Sequence, residues 1–448
     1  MKSLIAAAAA ALTLATPTWA APTLAASSLA RAPAPPAIQA SPGQPLMDQP
    51  FRLDITGLPR GEPATLTARA QAQDGVWWQG AAALSGGPAI GVEAAPLIAA
   101  MSAGPAAKGG DRQSFAVIDV SKPLPVTFEV RAQGHLLASR TVTRRFGPAD
   151  VCPFAIRDDG VVGVFYQPTS PGPHPGVLVI GGSDGGFGAP QVAMMLANHG
   201  FAVLSLAYFG ETGLPPTLEG VPMESFSRAI AWLRRNPAVD PRFVAIYAES
   251  RGTEPALYTA ATAQGVSAVV ARSPSFALWG GVSASHLPGK PAWTAAGKPL
   301  PAIPNTLHPH FIAAYLGDKL TGRPVRQTPL FLEDLAHFGD TVHAEIAVEK
   351  ISAPLLLLAG QDDQVWPSAM MAARIEARRR RFGRAAADQL VVYPGVGHAI
   401  PYAYLPVRQR DADGPFAVGG TPLGEARAQA DAWPRILRFL TEAAARAR

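Results

Sequence analysis

Residues 242–265 read RFVAIYAESRGTEPALYTAATAQG, an apolar run that passes directly into a helical pattern. A continuous apolar run is typical of a strand that is buried on both faces of a parallel sheet. Apolar runs that alternate with helical patterns recur along the chain and predict an α/β fold with a doubly wound, mostly parallel sheet over residues 151–448. Residues 280–345, rich in Pro and Gly, interrupt this alternation, and we expect a lid-like insertion there above the strand ends. The other apolar runs are PGVLVIGG (175–182), FAVLSLAYFG (201–210), VSAVVARSPS (266–275), APLLLLAG (353–360) and DQLVVYPG (388–395).

Residues 46–150 show a different pattern, in which apolar and polar residues alternate between turns rich in Gly, Pro and Asp. Short alternating strands at this spacing predict a small β-sandwich domain ahead of the α/β domain. The region has no group of Ser, His and acidic residues that suggests catalysis, so we expect a structural role or one wall of a cleft. Examples of the strands are FRLDITGL (51–58), ATLTARAQA (64–72) and VTFEVRA (126–132).

Residues 1–20 have the pattern of a secretory signal peptide. Lys2 precedes the apolar stretch LIAAAAAALTLA, and the small residue Ala20 follows TPTW. We predict cleavage after Ala20, with Ala26 as the second choice, and an exported, periplasmic or secreted protein. The apolar stretch is too short for a membrane anchor, so no stable membrane insertion is expected after cleavage. Residues 21–45 are rich in Ala, Pro and Ser, which predicts disorder.

The chain has 448 residues with a formal net charge of +5, and its densest positive charge is the arginine run 378–381, flanked by Arg374 and Arg384. No recognised nucleic-acid motif or basic surface interleaved with aromatic residues occurs, so we expect no nucleic-acid partner. The run is expected to form a solvated helix face, and contact with substrate phosphates is the alternative. The single cysteine, Cys152, excludes an intrachain disulfide.

The junction between strand and helix at residues 248–252 holds the first candidate for chemistry, Ser250. The nucleophile elbow of a serine hydrolase reads G-x-S-x-G, because the tight turn needs small residues on both sides of the serine. Gly252 fits this pattern, whereas Ala248 stands at the position of the first glycine. The N–H of Arg251 lies at the helix start, where it would point toward a developing oxyanion. The motif alone leaves a nucleophile and a structural serine equally open.

Two later strands are followed by residues that can serve Ser250. Two adjacent aspartates follow one predicted strand of the parallel sheet, and His398 follows the next. Catalytic loops collect at the carboxyl ends of parallel strands, and an α/β-hydrolase has its triad in the order Ser, acid, His. We therefore predict His398 as general base and Asp363 as the acid that orients it. Asp362, which is better placed to cap the loop or a neighbouring helix, is the alternative acid.

The loop GGSDGG, residues 181–186, follows an early strand of the predicted sheet and is the candidate for the second oxyanion donor. Its glycines let backbone amides approach a substrate closely. We predict the N–H of Ser183 as the donor, with Asp184 as the alternative, and a plain turn stays open. The spacing does not match the G-x-G-x-x-G of dinucleotide-binding folds, so no cofactor is expected here.

The pair His308 and His310 is the only H-x-H motif in the chain. No third ligand lies nearby in the sequence, and a complete metal signature is much more specific than two histidines. The sequence therefore predicts a loop pair without a metal, and no metal or organic cofactor elsewhere.

Over about residues 45–445 the chain resembles the family of acyl-CoA thioester hydrolases and bile acid-CoA:amino acid N-acyltransferases. The resemblance implies an N-terminal β-sandwich followed by an α/β-hydrolase domain, and it implies that Ser250, Asp363 and His398 are the catalytic triad. It rests on DITGLPRGEPATLTA, PGVLVIGGSDGGFGAPQVAMMLANHGFAVLSLAYFG, GQDDQVWPS, YPGVGHAIPYAYLP and GGTPLGEARAQADAWPRILRFL.

In that family a cysteine nucleophile accompanies acyl transfer to amino acids, and a serine accompanies hydrolysis. Ser250 therefore implies an acyl-CoA thioesterase that cleaves a small-molecule acyl thioester through an acyl-enzyme. The predicted export signal favours an alternative, an exported carboxylesterase or amidase that does not use CoA, because acyl-CoA is an intracellular metabolite. Acyl transfer to an amino acid and a non-catalytic binding protein of the cell envelope are the remaining alternatives.

Overall fold

A computed structural model describes residues 35–87, 89–103, 115–147, 151, 153–283, 288–338, 343–401, 404–407, 412–413 and 416–447. The predicted signal peptide and residues 21–34 of the Ala- and Pro-rich segment lie outside the described residues.

The N-terminal region is built from antiparallel strands. One sheet has the order β1-β2-β5 and the other the order β6-β4-β3-β7-β8. Their inward side chains share one core, in which the rings of Phe51 and Phe128 meet at 5.9 Å. Two sheets packed over a common core form the predicted β-sandwich. The elements are β1 (Ala37–Ser41), β2 (Arg52–Thr56), β3 (Pro63–Gln71), β4 (Trp77–Ser85), β5 (Ala89–Glu93), α1 (Ala94–Ala99), β6 (Ser102–Ala103), β7 (Leu124–Ala132) and β8 (His135–Arg144).

The strand β1 lies inside residues 21–45, for which the sequence predicts disorder, and that prediction is wrong for this part. Residues 37–41 pair antiparallel with residues 52–56, and Ile38 is buried in the core of the sandwich. A Pro- and Ala-rich composition does not prevent a five-residue strand when a neighbouring strand supplies the hydrogen bonds.

The C-terminal region alternates strands and helices. Its strands are β9 (Phe154–Asp158), β10 (Val161–Tyr166), β11 (His174–Ile180), β12 (Ala202–Ala207), β13 (Val221–Pro222), β14 (Val239–Glu249), β15 (Ala268–Arg272), β16 (Gly280–Val282), β17 (Pro288–Pro291), β18 (Trp293–Ala295), β19 (Lys298–Pro299), β20 (Leu355–Gly360), β21 (Gln389–Tyr393), β22 (Ala412–Asp413) and β23 (Phe416–Ala417). Its helices are α2 (Pro190–Asn198), α3 (Glu224–Arg235), α4 (Thr253–Thr262), α5 (Pro309–Thr321), α6 (Thr328–His337), α7 (Ser368–Arg381) and α8 (Pro422–Ala447).

Eight of these strands form the central sheet, in the order β21-β20-β15-β14-β11-β12-β10-β9. Neighbouring strands from β21 to β12 are parallel, and β10 and β9 add an antiparallel hairpin at one edge. Consecutive residues of a strand face opposite cores. Val179 packs in the cluster that contains α2 and α8, whereas Ile180 packs in the cluster that contains α3, α4 and α7. Helices therefore cover both faces of the sheet, and the predicted α/β-hydrolase fold is confirmed.

The predicted insertion lies between β15 and β20 and contains β16 to β19, α5 and α6. Its α6 begins against the loop that follows β20: the Thr328 hydroxyl donates to the carbonyl of Asp363 at 2.9 Å. On the same side, the ring of Phe331 packs edge-on against Trp366 at 5.8 Å. The insertion is thus anchored at the carboxyl end of a central strand. Within the described residues, no helix is both long enough and apolar enough to span a membrane.

Candidate active site

The strand β14 ends in a sharp turn that carries Ser250. The residues 250–252 form a single 3₁₀ turn, and α4 follows directly. Ser250 has a backbone φ of 52°, in the left-handed region that residues other than glycine rarely adopt. A strained serine between a parallel strand and a helix is the geometry of a nucleophile elbow.

The two small positions of the elbow have different steric demands. A Cβ on Gly252 would lie 2.1 Å from the carbonyl oxygen of Gly181, so only glycine fits there. Ala248 is fully buried, and its backbone pairs with Ile180 of β11 and Ala271 of β15 in the interior of the sheet. The methyl group of Ala248 is accommodated at this position, which explains why the elbow forms without the first glycine of the motif.

His398 lies between Ser250 and Asp363. Its Nε2 is 2.8 Å from the serine Oγ, and its Nδ1 is 2.9 Å from Oδ2 of the aspartate. The His398 side chain is 15% exposed and the Asp363 side chain 2%. With Nδ1–H donating to the carboxylate, the lone pair of Nε2 faces the serine hydroxyl, the arrangement required for proton abstraction.

The carboxylate of Asp363 is held by its own loop. Its Oδ1 accepts hydrogen bonds from the backbone N–H groups of Val365, at 2.9 Å, and Trp366, at 3.2 Å. The neighbouring Asp362 instead ties the loop through its backbone, donating its N–H to the carbonyl of Val396 at 2.9 Å. Of the two aspartates that the sequence leaves open, Asp363 is the one whose carboxylate contacts the histidine.

The Gly-rich loop approaches Ser250 closely. A Cβ on Gly182 would lie 3.1 Å from the serine Cβ, so this glycine keeps the space beside the serine open. The buried Tyr208 hydroxyl donates to the carbonyl oxygens of Gly181 and Gly182 and fixes the path of the loop. Burial raises the pKa of Tyr208, so its hydroxyl stays protonated as a donor. Ser183 is the next residue and is exposed. The roles of the Ser183 and Arg251 N–H groups as oxyanion donors remain predictions.

Behind the elbow lies an ion pair that the motifs do not reveal. The Arg251 side chain is buried, 2.5 Å from the Glu254 carboxylate, and it also donates to the carbonyl of Gly280. Glu254 accepts hydrogen bonds from the Trp279 N–H and the Trp293 indole. Burial raises the pKa of Glu254, while the arginine and the two donors oppose that shift. The pair fastens the start of α4 to the insertion.

A second ion pair connects the elbow with the histidine loop. Arg272, at the end of β15, pairs with Glu249 and donates to the carbonyl of Ile400. Beside it, the Ser273 hydroxyl donates to the carbonyl of His398 at 2.6 Å. Sequence spacing gives no signal for these partners, because long charged side chains reach residues far along the chain. The only hint is that Glu249 and Arg251 directly flank the candidate nucleophile in an apolar segment.

The arginine run on α7 contacts acidic groups of the protein itself. Arg378 pairs with Glu345 and Glu349 at 2.6 Å each. Arg379 is 1% exposed and pairs with Asp388 at 2.5 Å. The prediction of a solvated helix face is therefore wrong for Arg379. Residues three or four positions apart share one face of a helix, and Arg379 lies on the face that is turned toward the protein interior, whereas its neighbours in the run lie on more exposed faces.

Comparison with known proteins places the chain among thioester hydrolases. The family model "BAAT / Acyl-CoA thioester hydrolase C terminal" matches residues 221–446, half of the chain. Human acyl-coenzyme A thioesterase 1 is 29% identical over 411 residues, covering 88% of this chain and 93% of the relative. Human mitochondrial acyl-coenzyme A thioesterase 2 is also 29% identical over 411 residues, with 88% and 81% covered.

Among solved structures, a puromycin-hydrolyzing peptidase of Mycobacterium tuberculosis has a TM-score of 0.45 and 13% identity, covering 84% of this chain and 53% of that one. An esterase of Pyrococcus furiosus has a TM-score of 0.37 and 13% identity, covering 65% and 92%. The resemblance inferred from the sequence is confirmed by the family model: the chain belongs to the BAAT / acyl-CoA thioester hydrolase family.

Proposed function

We propose that this protein is an acyl-CoA thioesterase that cleaves its substrate through an acyl-enzyme on Ser250. The observation that carries the proposal is the pair of hydrogen bonds of His398, one to the Ser250 hydroxyl and one to Asp363. An isolated serine in a strained turn has little reactivity, whereas a serine with an oriented imidazole is an activated nucleophile. Family membership and relatives named acyl-coenzyme A thioesterases support a thioester as the bond that is cleaved.

In the first half-reaction, His398 Nε2 takes the proton of Ser250 as the serine oxygen attacks the thioester carbonyl. Asp363 stabilises the imidazolium, and the N–H groups of Arg251 and Ser183 stabilise the oxyanion. The carbon–sulfur bond then breaks, and the thiolate leaves with the proton from the histidine. In the second half-reaction, water loses a proton to His398 and attacks the carbonyl carbon of the acyl-enzyme. The bond between that carbon and the serine oxygen then breaks, His398 returns the proton to the serine oxygen, and the free carboxylic acid leaves.

We further propose that the protein is exported, because residues 1–20 have the pattern of a signal peptide. Export motivates a second candidate function, hydrolysis of an ester or amide that lacks CoA. The arginine run offers little to CoA phosphates, since Arg378 and Arg379 already pair with carboxylates. Cell fractionation and the mass of the isolated protein test the location; a chain that keeps residues 1–20 in the cytoplasm contradicts export.

The deciding experiment compares turnover of an acyl-CoA and a p-nitrophenyl ester with the same acyl chain. A kcat/KM that is clearly higher for acyl-CoA supports the thioesterase, and cleavage of the ester alone supports the second candidate. Glycine in the assay tests acyl transfer, since a transferase forms the N-acyl amino acid in place of the free acid.

Ser250→Ala serves as the test of the nucleophile and Ser183→Ala as its matched control. Ser250→Ala should lower kcat by several orders of magnitude, whereas Ser183→Ala keeps its backbone N–H and should retain near wild-type turnover. Full activity of Ser250→Ala on both substrates would show that the serine is not the nucleophile.

A further inference from the structure

The insertion brings together side chains that the sequence separates. His308 stands at the start of α5, and Glu333 and His337 lie on the last turns of α6. One nitrogen or oxygen atom of each of these three residues lies within 4.8 Å of the others. The fold thus brings Glu333 and His337 to the His308–His310 pair, which has no further candidate ligand nearby in the sequence.

One distance within the cluster matches the spacing of two ligands of a small metal ion. His308 Nδ1 is 3.3 Å from Glu333 Oε1. Two ligand atoms of a tetrahedral Zn²⁺ site lie about 3.3 Å apart, because each is about 2.0 Å from the metal. Glu333 and His337 are four residues apart on one helix, so their side chains share a face. His337 is exposed and can adjust its side chain to complete the site.

Both histidines have an oxygen partner on one ring nitrogen. His308 Nε2 is 2.8 Å from Oδ1 of Asp334, a fully buried carboxylate. His337 Nδ1 is 3.3 Å from the carbonyl oxygen of Glu333. Such outer oxygen atoms fix the tautomer of a metal-binding histidine and leave its other nitrogen as the ligand. Asp334 also accepts the backbone N–H of Thr306, which holds it in place.

We propose that His308, Glu333 and His337 form a binding site for a Zn²⁺-class transition-metal ion within the insertion. Two imidazoles and a carboxylate are the ligand set that favours zinc over calcium or magnesium. A water molecule completes the tetrahedron on the exposed side, and Asp334 is the outer partner of His308. His310, whose Nε2 is 2.7 Å from the other Glu333 oxygen, helps to orient the carboxylate.

The ion would join the start of α5 to the end of α6. The first turn of α6 contacts the Asp363 loop through Thr328, and Phe331 packs on Trp366, whose ring lies 5.9 Å from that of His398. Metal binding thus stiffens the segment that borders the candidate active site. The site does not take part in the acyl chemistry, so its existence does not depend on the proposed function.

The test is titration of the full, untagged, metal-free chain with Zn²⁺ by calorimetry and with Co²⁺ by visible absorption. We expect one ion per chain, the absorption of a four-coordinate Co²⁺ site and a higher Tm with Zn²⁺. Glu333→Gln, which keeps the shape of the side chain, and His337→Ala, which removes the imidazole, should each weaken binding at least about 10-fold. Asp334→Asn should weaken it about 10- to 100-fold.

His135→Ala is the matched control, because His135 is an exposed histidine of the N-terminal sandwich. Its affinity for Zn²⁺ should equal that of the wild-type chain. His337→Ala removes an exposed side chain, so loss of binding in this variant with an unchanged Tm of the metal-free protein supports the site. Absence of binding in the wild-type chain would overturn the proposal, and so would wild-type affinity for Zn²⁺ in both His337→Ala and Glu333→Gln.

Discussion

The two sheet regions of this protein differ in how many faces of each sheet are buried. In the N-terminal sandwich, β3 and β7 alternate between buried and more exposed residues, so each sheet has an outer face. In the α/β-hydrolase domain, every residue of β12, β15 and β20 is buried. A sheet covered on both faces can present side chains to a substrate only at its strand ends. The candidate catalytic residues accordingly lie in the loops after β14, β20 and β21, and we expect the sandwich to contribute packing and not catalysis.

The largest effect that tests this comparison is expected for Asp363→Asn. The amide can donate to Nδ1 of His398 and thereby favour the tautomer that has its proton on Nε2, which cannot accept the proton of Ser250. We expect kcat to fall about 10⁴-fold with little change in Tm. Steady-state kinetics and a thermal melt measure the two quantities.

Asp362→Asn is the control for that variant, because it makes the same chemical change one residue away. Its side chain is half-buried, but the backbone N–H that ties the loop to Val396 is retained. Near wild-type kcat is expected. Equal losses in the two variants would mean that the loop, and not the Asp363 carboxylate, is what catalysis needs.

A smaller but still large effect is expected for Gly252→Ala. The added methyl group collides with the Gly181 carbonyl, so the Gly-rich loop beside Ser250 must move. Overpacking of this kind costs about 1–3 kcal/mol of the free energy of unfolding, and misplacement of catalytic groups by about 1 Å costs about 10²-fold in rate.

The reverse change, Ala248→Gly, tests the other half of the elbow. It restores the first glycine of the motif and should cost about 0.5–1 kcal/mol of stability, the usual effect of glycine inside a strand, with kcat retained. A severe loss of activity in Ala248→Gly, or none in Gly252→Ala, would contradict the steric account of the elbow.

In the sandwich, Arg144→Met should alter stability and leave catalysis unchanged. Arg144 is 1% exposed and donates to the carbonyl oxygens of Tyr404 and Met47, and burial lowers its pKa to about 10. Removing the guanidinium leaves two buried acceptors without their donor, so we expect a loss of about 2–3 kcal/mol. Chemical denaturation measures this loss of the free energy of unfolding. Arg145→Met is the control, because Arg145 is half-buried, and its loss should be smaller.

Unchanged kcat in folded Arg144→Met would agree with the division between a packing region and a catalytic region. A fall in kcat without a fall in stability would instead give the sandwich a part in shaping the substrate site.

The features that could be predicted from the sequence are those that depend on local pattern and on chain order. Buried apolar runs predict the parallel strands, and the order Ser250, Asp363, His398 assigns the three residues to the carboxyl ends of β14, β20 and β21, on the same edge of the sheet. Their catalytic roles remain predictions. The choice of Asp363 over Asp362 from spacing agrees with the contact to His398, since the Asp363 side chain is buried beside the histidine and the Asp362 side chain is half-buried.

The features that could not be predicted are contacts between residues distant in the chain. The pair Arg272–Glu249 depends on which way long side chains turn at the strand ends. The same holds for the contacts that the Arg251–Glu254 pair makes with Gly280 and Trp293. The meeting of His308 with Glu333 and His337 depends on how α5 and α6 pack. Periodicity shows which face of a helix or strand is apolar but not which element packs against that face. Such contacts are therefore visible only in the tertiary structure.

The smallest effect concerns the surface of the hydrolase domain away from the strand ends. The hydrogen bond from Arg378 lowers the pKa of Glu349 below its usual value of 4.5, so this carboxylate stabilises the fold above that pH. The stabilisation is lost as the pH falls through the lowered pKa, because the protonated acid no longer pairs with the arginine.

Glu349→Gln should therefore lower the free energy of unfolding by up to about 1 kcal/mol at pH 7 and by progressively less below about pH 4. Urea denaturation at several pH values measures this. Glu376→Gln is the control, because Glu376 pairs with the exposed Arg380 at 2.7 Å, and it should cost no more than about 0.5 kcal/mol. A difference that persists unchanged at the lowest pH would mean that Glu349 contributes by packing and not by its charge.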